Sequence, residues 1–90
     1  MRYVIEVPPY SRQDGLEWEW DSEAYLLVRA SGSEIHVRGD SVGLRNLAEV
    51  LLTLAQEGVP DGVHVHLDTY TSLTEGSSEL LLERSSGSSS

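Results

Sequence analysis

His64, His66 and Asp68 fall at alternate positions of one short segment, and all three carry groups that can hold a metal ion or move a proton. On an extended strand such residues share a face, spaced about 7 Å apart. Two imidazoles so placed can share a zinc ion, and a carboxylate can join them. A catalytic zinc centre needs a third firm ligand and an open position, and the remaining histidine, His36, is remote in sequence. The competing reading is a half-solvated strand with polar outward positions. It is the one carried forward, with no metal, no cofactor and no catalytic residue expected. A serine nucleophile beside His66 and Asp68 would need an oxyanion hole that no motif supplies. Gly39-Asp40-Ser41-Val42-Gly43 lacks the lysine of a phosphate loop and reads as the capping turn of a helix.

A second group is built for contact rather than chemistry. Trp18 and Trp20 alternate with Glu17, Glu19 and Asp21, and Asp14 and Glu23 lie close by. Tryptophan is enriched at the centres of protein interfaces, and acidic neighbours would complement a basic partner. In a chain without phenylalanine, the same indoles could simply fill the core. Both readings stand on sequence.

Charge narrows the partners. Fifteen acidic residues against six basic ones leave a formal charge of −9 over 90 residues, so phosphate backbones and anionic lipid would repel the chain. Neither nucleic acid nor a membrane is expected as a partner. With no cysteine, disulfides and thiolate metal sites are excluded, and stability must come from packing. No apolar run is long enough to span a bilayer, and the first residues lack the apolar stretch of a secretory signal. The expected location is cytoplasmic.

The elements that must position these groups follow from periodicity. Arg2 to Val7 alternates with a period of two and predicts a strand, closed by Pro8-Pro9. Tyr10 to Glu23 is polar and acidic, either a loop or a strand lined by Leu16, Trp18 and Trp20. Ala24 to Ala30 and Glu34 to Arg38 form a hairpin around Ser31-Gly32-Ser33. The period then becomes 3.6, with Leu44, Leu47, Ala48, Leu51, Leu54 and Ala55 on one face of a helix. Asp40 or Ser41 would cap its start and Gly58 its end. If that face is buried, Leu47→Asp or Leu51→Asp unfolds the chain. Gly62 to Asp68 predicts a strand with Val63, Val65 and Leu67 inward and both histidines outward, and Ser78 to Arg84 predicts the last. The expected architecture is α+β in two layers: a mostly antiparallel sheet of about five strands, in the order β-β-β-α-β-β, with one amphipathic helix on one face. Residues 1–84 form a single domain in this reading, and Ser85 to Ser90 a disordered Ser/Gly tail.

Part of this pattern resembles a known family. Gly43-Leu44, Leu47-Ala48, Leu51, Leu54-Ala55, then His64-Val65-His66-Leu67-Asp68, Leu73 and Gly76-Ser77-Ser78-Glu79-Leu80 resemble the immunity protein 32 family of bacterial polymorphic toxin systems, over about half the chain. The resemblance implies a small non-enzymatic protein that binds and neutralises a cognate toxin. An acidic chain would suit a basic toxin, such as a nuclease. Glu17, Trp18, Glu19, Trp20 and Asp21 are the expected contact residues, with His64, His66 and Asp68 as the family-like alternative. Two other classes stay open: a metal-dependent protein using the histidine strand, and an assembly subunit that pairs through a free sheet edge.

Overall fold

The computed structural model describes residues 1–87. Strand β1 (Leu26–Ser31) pairs antiparallel with β2 (Glu34–Gly39), with Val28 opposite Val37 and Ser31 opposite Glu34. The loop between them is two residues long and opens on Gly32 at φ 59°, a conformation that disfavours a Cβ. Leu26 and Val28 are buried. Cross-strand partners share a face, so Val37 and Ile35 continue this apolar surface past the covered core and stay exposed.

Helix α1 (Ser41–Leu54) begins at a tight junction with the entry to β1. Asp40 is the N-cap: its Oδ1 accepts from Gly43 N at 2.7 Å and from Tyr25 N at 3.2 Å, while its own N–H donates to Tyr25 O at 3.1 Å. Gly43 packs directly on that carbonyl. A Cβ there would overlap the Tyr25 backbone. At the other end Ala55 N donates to Leu51 O and Leu52 O, and Arg84 Nη1 donates to Leu54 O and Gln56 O, each at 2.8 Å. A guanidinium from the last strand thus satisfies carbonyls that the helix leaves open. Gly58, at φ 89°, lies in the following turn rather than directly after the Ala55 cap.

The helix starts where expected, at the Asp40 cap, but it ends at Leu54, short of the Gly58 stop expected from sequence, and its buried face differs as well. Gly43, Asn46, Val50, Thr53 and Leu54 are buried, Leu47 and Ala48 are partly covered, and Leu44, Leu51 and Ala55 are exposed. The two stripes have the same period and differ by one residue, about 100° of helix rotation. Two polar side chains explain the choice, because both find partners inside. Asn46 Oδ1 accepts from Asp21 N at 2.8 Å and its Nδ2 donates to Asp21 Oδ2 at 3.0 Å; Thr53 Oγ1 donates to Glu49 O at 2.7 Å. Hydrogen-bonded in this way, they cost little to bury. Gly43 fixes the rotation, since it alone lets the first turn touch β1.

Strand β3 (His64–Leu67) pairs antiparallel with β4 (Leu80–Glu83), and Val63 and Arg84 extend the ladder. The two ladders are joined by residues 74–78. Thr74 N donates to Leu26 O at 2.9 Å and Ser78 N to Val28 O at 2.7 Å, while Leu26 N donates to Thr74 Oγ1 at 3.0 Å and Val28 N to Ser77 Oγ at 3.1 Å. The free edge of β1 is therefore closed, with two hydroxyls in place of backbone carbonyls. Leu26, Val28, Val50, Leu54, Val65, Leu67 and Leu73 form the core, and Leu16, Trp18, Trp20, Leu80 and Leu82 pack around it.

The α+β class holds, with four strands in two ladders in place of about five in one sheet. The strand expected over Arg2 to Val7 is absent. Residues 74–78 already occupy the β1 edge, and Pro8-Pro9 offer no N–H to a ladder. The N-terminal segment lies instead against α1, tied by Tyr10 N to Gln56 Oε1 at 3.0 Å and Gln56 Nε2 to Pro8 O at 3.1 Å. At the other terminus Ser86 N donates to Asp61 Oδ1 at 2.8 Å. The rest of the expected tail, residues 88–90, lies outside the described residues. Among those described, no helix is long and apolar enough to cross a membrane.

Gly43→Ala should destabilise by more than the about 1–3 kcal/mol of ordinary overpacking, although Ala is the better helix former. Leu51→Asp, expected from sequence to unfold the chain, should instead cost about 1 kcal/mol or less, because Leu51 is 46% exposed. Val50→Asp, which buries an unpaired charge, should abolish cooperative unfolding. Urea titrations of the three variants read these outcomes; a Leu51→Asp variant as damaged as Val50→Asp would contradict the assigned helix face.

Candidate functional site

The acidic tryptophan segment alternates as a strand would, without pairing as one. Leu16, Trp18 and Trp20 turn toward the core, while Glu17, Glu19 and Asp21 are exposed. The indoles meet edge to face, centroids 6.4 Å apart at 87°, the favoured geometry of an aromatic pair. Asp21 is held by Asn46, so its carboxylate already serves the fold. Replacing either tryptophan removes core packing, which makes the neighbouring acids the better probes of contact.

One side of Trp18 reaches solvent in a cleft shared with Glu6, Pro8, Glu19, Glu49 and Thr53. Three acidic residues line the cleft together with this indole. Among the described residues the single ion pair is His66 with Glu79, so Glu6, Glu19 and Glu49 are free of salt-bridge partners. Unpaired carboxylates beside an aromatic ring attract ammonium and guanidinium groups, through charge and through the ring's negative face. Of the residues lining this cleft, Trp18 and Glu19 are among those expected from sequence to make contact. Glu6 and Glu49 are not, because they arrive from the N-terminal segment and the helix.

The histidine strand faces as its alternation predicts: Val65 and Leu67 are buried, His64 and His66 exposed. The row of three ligands is not assembled. His64 Nδ1 lies 3.1 Å from Gly62 O, and His66 Nε2 lies 2.8 Å from Glu79 Oε1. Asp68 Oδ1 accepts from Tyr70 N, Thr71 N and Thr71 Oγ1, each at 3.0 Å, and so closes the turn after β3. No group of three or more metal-capable side chains occurs among the described residues. The cleft at Trp18 contains neither histidine, so the two sets of expected contact residues do not share it.

Two carboxylates sit below their ordinary value of 3.8. The Thr71 hydroxyl and the backbone N–H groups of Thr71 and Tyr70 stabilise ionised Asp68. The N–H groups of Gly43 and Tyr25 do the same for Asp40. Both anchor backbone turns rather than an open site, which marks them as parts of the scaffold.

The family model described as Immunity protein 32 matches residues 34–85. That span holds β2, α1, β3 and β4, including the Asp40 cap, Gly43, the hydroxyls of Thr74 and Ser77, and Arg84. Trp18 and Glu19 lie outside it. No curated protein and no solved structure matches the chain.

A carboxylate whose folded pKa is lowered adds stability that is complete above its ordinary value and is lost as pH falls through the lower folded value. Stability should therefore decline as pH falls below about 4. In Asp40→Asn and Asp68→Asn this fall should be shallower. Urea midpoints between pH 2 and 7 check it, and variants as acid-sensitive as the wild type would count against the roles given to these two residues.

Proposed function

We propose that this chain, which belongs to the immunity protein 32 family, binds a cognate bacterial toxin and neutralises it by covering the surface the toxin works with. The family match over residues 34–85 carries the reading. Physical features support it. A chain of charge −9 attracts basic polypeptides at long range and speeds their capture. Toxins that act on nucleic acid must present Lys and Arg to phosphate, so a basic nuclease is the class best matched to this surface. The cleft of Glu6, Glu19 and Glu49 around Trp18 supplies a place for such a cation. The protein contributes occlusion only, with no reaction of its own. The metal-dependent alternative draws no support from the histidine strand, whose third ligand, Asp68, is engaged by Tyr70 and Thr71.

The test is a selection: fragments of the same genome are screened for arrest of a heterologous bacterial host, with and without this chain coexpressed. At least one arresting polypeptide should be relieved and should copurify with the chain at equal stoichiometry. If growth is never rescued, the proposal fails. For the recovered pair, Glu19→Lys with Glu49→Lys should slow association at least about tenfold at low salt, and raising salt should erase most of that difference.

A further inference from the structure

The two edges of the hairpin made by β1 and β2 differ. Leu26 and Val28 turn their N–H and C=O groups away from β2, where Thr74, Ser77 and Ser78 take them up. Bonded and non-bonded pairs alternate along an antiparallel ladder. Val37, opposite Val28, and Ile35, two residues before it, therefore turn their own N–H and C=O groups away from β1. Among the described residues β2 pairs with β1 alone, and no other backbone hydrogen bond reaches residues 34–38. All five are exposed, Ile35 at 63% and Val37 at 37%. An open edge of this kind is a template for another strand.

The side chains of β2 say which strand fits. Glu34 and Arg38 share the face opposite to Ile35 and Val37. Neither has an ion-pair partner among the described residues, where the single ion pair is His66 with Glu79. The run Glu34-Ile35-His36-Val37-Arg38 is complementary to itself in reverse. Two copies laid antiparallel about His36 set Glu34 against Arg38 twice, Ile35 against Val37 twice, and His36 against its counterpart. The backbone agrees with this register, because Ile35 and Val37, whose N–H and C=O groups face outward, become the bonded pairs. The adjacent registers, centred on Ile35 or Val37, lose both pairs of opposite charge, and the second sets Glu34 against Asp40. Net charge does not oppose the contact locally. Within residues 26–39 Glu34 is the single acid, beside Arg29 and Arg38, and salt screens repulsion between more distant charges.

We propose that β2 pairs with β2 of a second copy of this chain, antiparallel and centred on His36. The contact joins two hairpins into a four-stranded sheet about a twofold axis, using one patch twice. Each Ile35 then lies beside a Val37, and the apolar face of each hairpin continues into the other. The cleft at Trp18 contains no residue of β2, so the contact stands independently of the toxin reading.

Sedimentation equilibrium of the full chain, from about 1 µM to about 1 mM, should show monomers in exchange with dimers. Glu34→Arg and Arg38→Glu each set like charges against one another twice, and each should weaken the dimer at least about fivefold. Mixed in equal amounts, the two single variants should associate again as a heterodimer, and the double variant should associate with itself. A chain that stays monomeric throughout overturns the proposal, as does a dimer indifferent to both reversals. Should the variants not fold, amide exchange of the wild type decides. The Ile35 and Val37 amides should become protected as concentration rises, and amides left unprotected in the dimer overturn the proposal. Protection gained only on adding the arresting polypeptide recovered above would assign this edge to a strand of the toxin and overturn it too.

Discussion

The fold hangs on the contact between the first turn of α1 and the backbone that enters β1. A helix can lie this close to a strand only where a side chain is missing, and Gly43 provides the gap. Asp40 then ties the two elements with two hydrogen bonds to Tyr25, one accepted by its carboxylate and one donated by its backbone, while the same carboxylate caps the helix at Gly43 N. Once that corner is fixed, the rotation of the helix is fixed with it. Val50 and Leu54 are delivered to the core, and Leu51 and Leu52 are left outside. The outward position of Leu51 is thus set by a glycine about 12 Å away along the helix axis, by the usual rise of about 1.5 Å per residue.

Local pattern was legible where each residue's own neighbours decide its state. The Ser31-Gly32-Ser33 hairpin, the Asp40 start of the helix and the alternation of His64 and His66 with Val65 and Leu67 all follow from short-range spacing. The helix face was not legible, because two stripes of equal period compete and the polar Asn46 and Thr53 lie on the buried one. Their burial becomes favourable only through Asp21, 25 residues away, and through a bond to the helix's own backbone. The N-terminal segment shows the same limit. Its alternation is as regular as that of β3, but a strand needs an edge, and residues 74–78 fill the one on β1.

The candidate site divides in the same way. The types of residue were visible in Trp18 and Glu19, but the cleft takes Glu6 from one direction and Glu49 from another. No spacing along the chain encodes such a meeting. Asp68 had the spacing of a ligand, yet the nearby Thr71 claims it locally, as short polar side chains at strand ends often do. The exposed leucines are the inverse case: their periodicity is a core signature, and the structure turns Leu44 and Leu51 of that stripe toward solvent.

The hydroxyls of Thr74 and Ser77 on the edge of β1 carry a consequence of a different kind. A backbone ladder can slip by two residues and bond again, since every peptide group resembles the next. Side-chain acceptors occur at particular positions only, so Leu26 and Val28 can find Thr74 and Ser77 in one alignment. The segment works as an indexing device. It sets the two hairpins in a single phase relative to each other and occupies the Leu26 to Val28 stretch of the β1 edge that another strand would otherwise pair with.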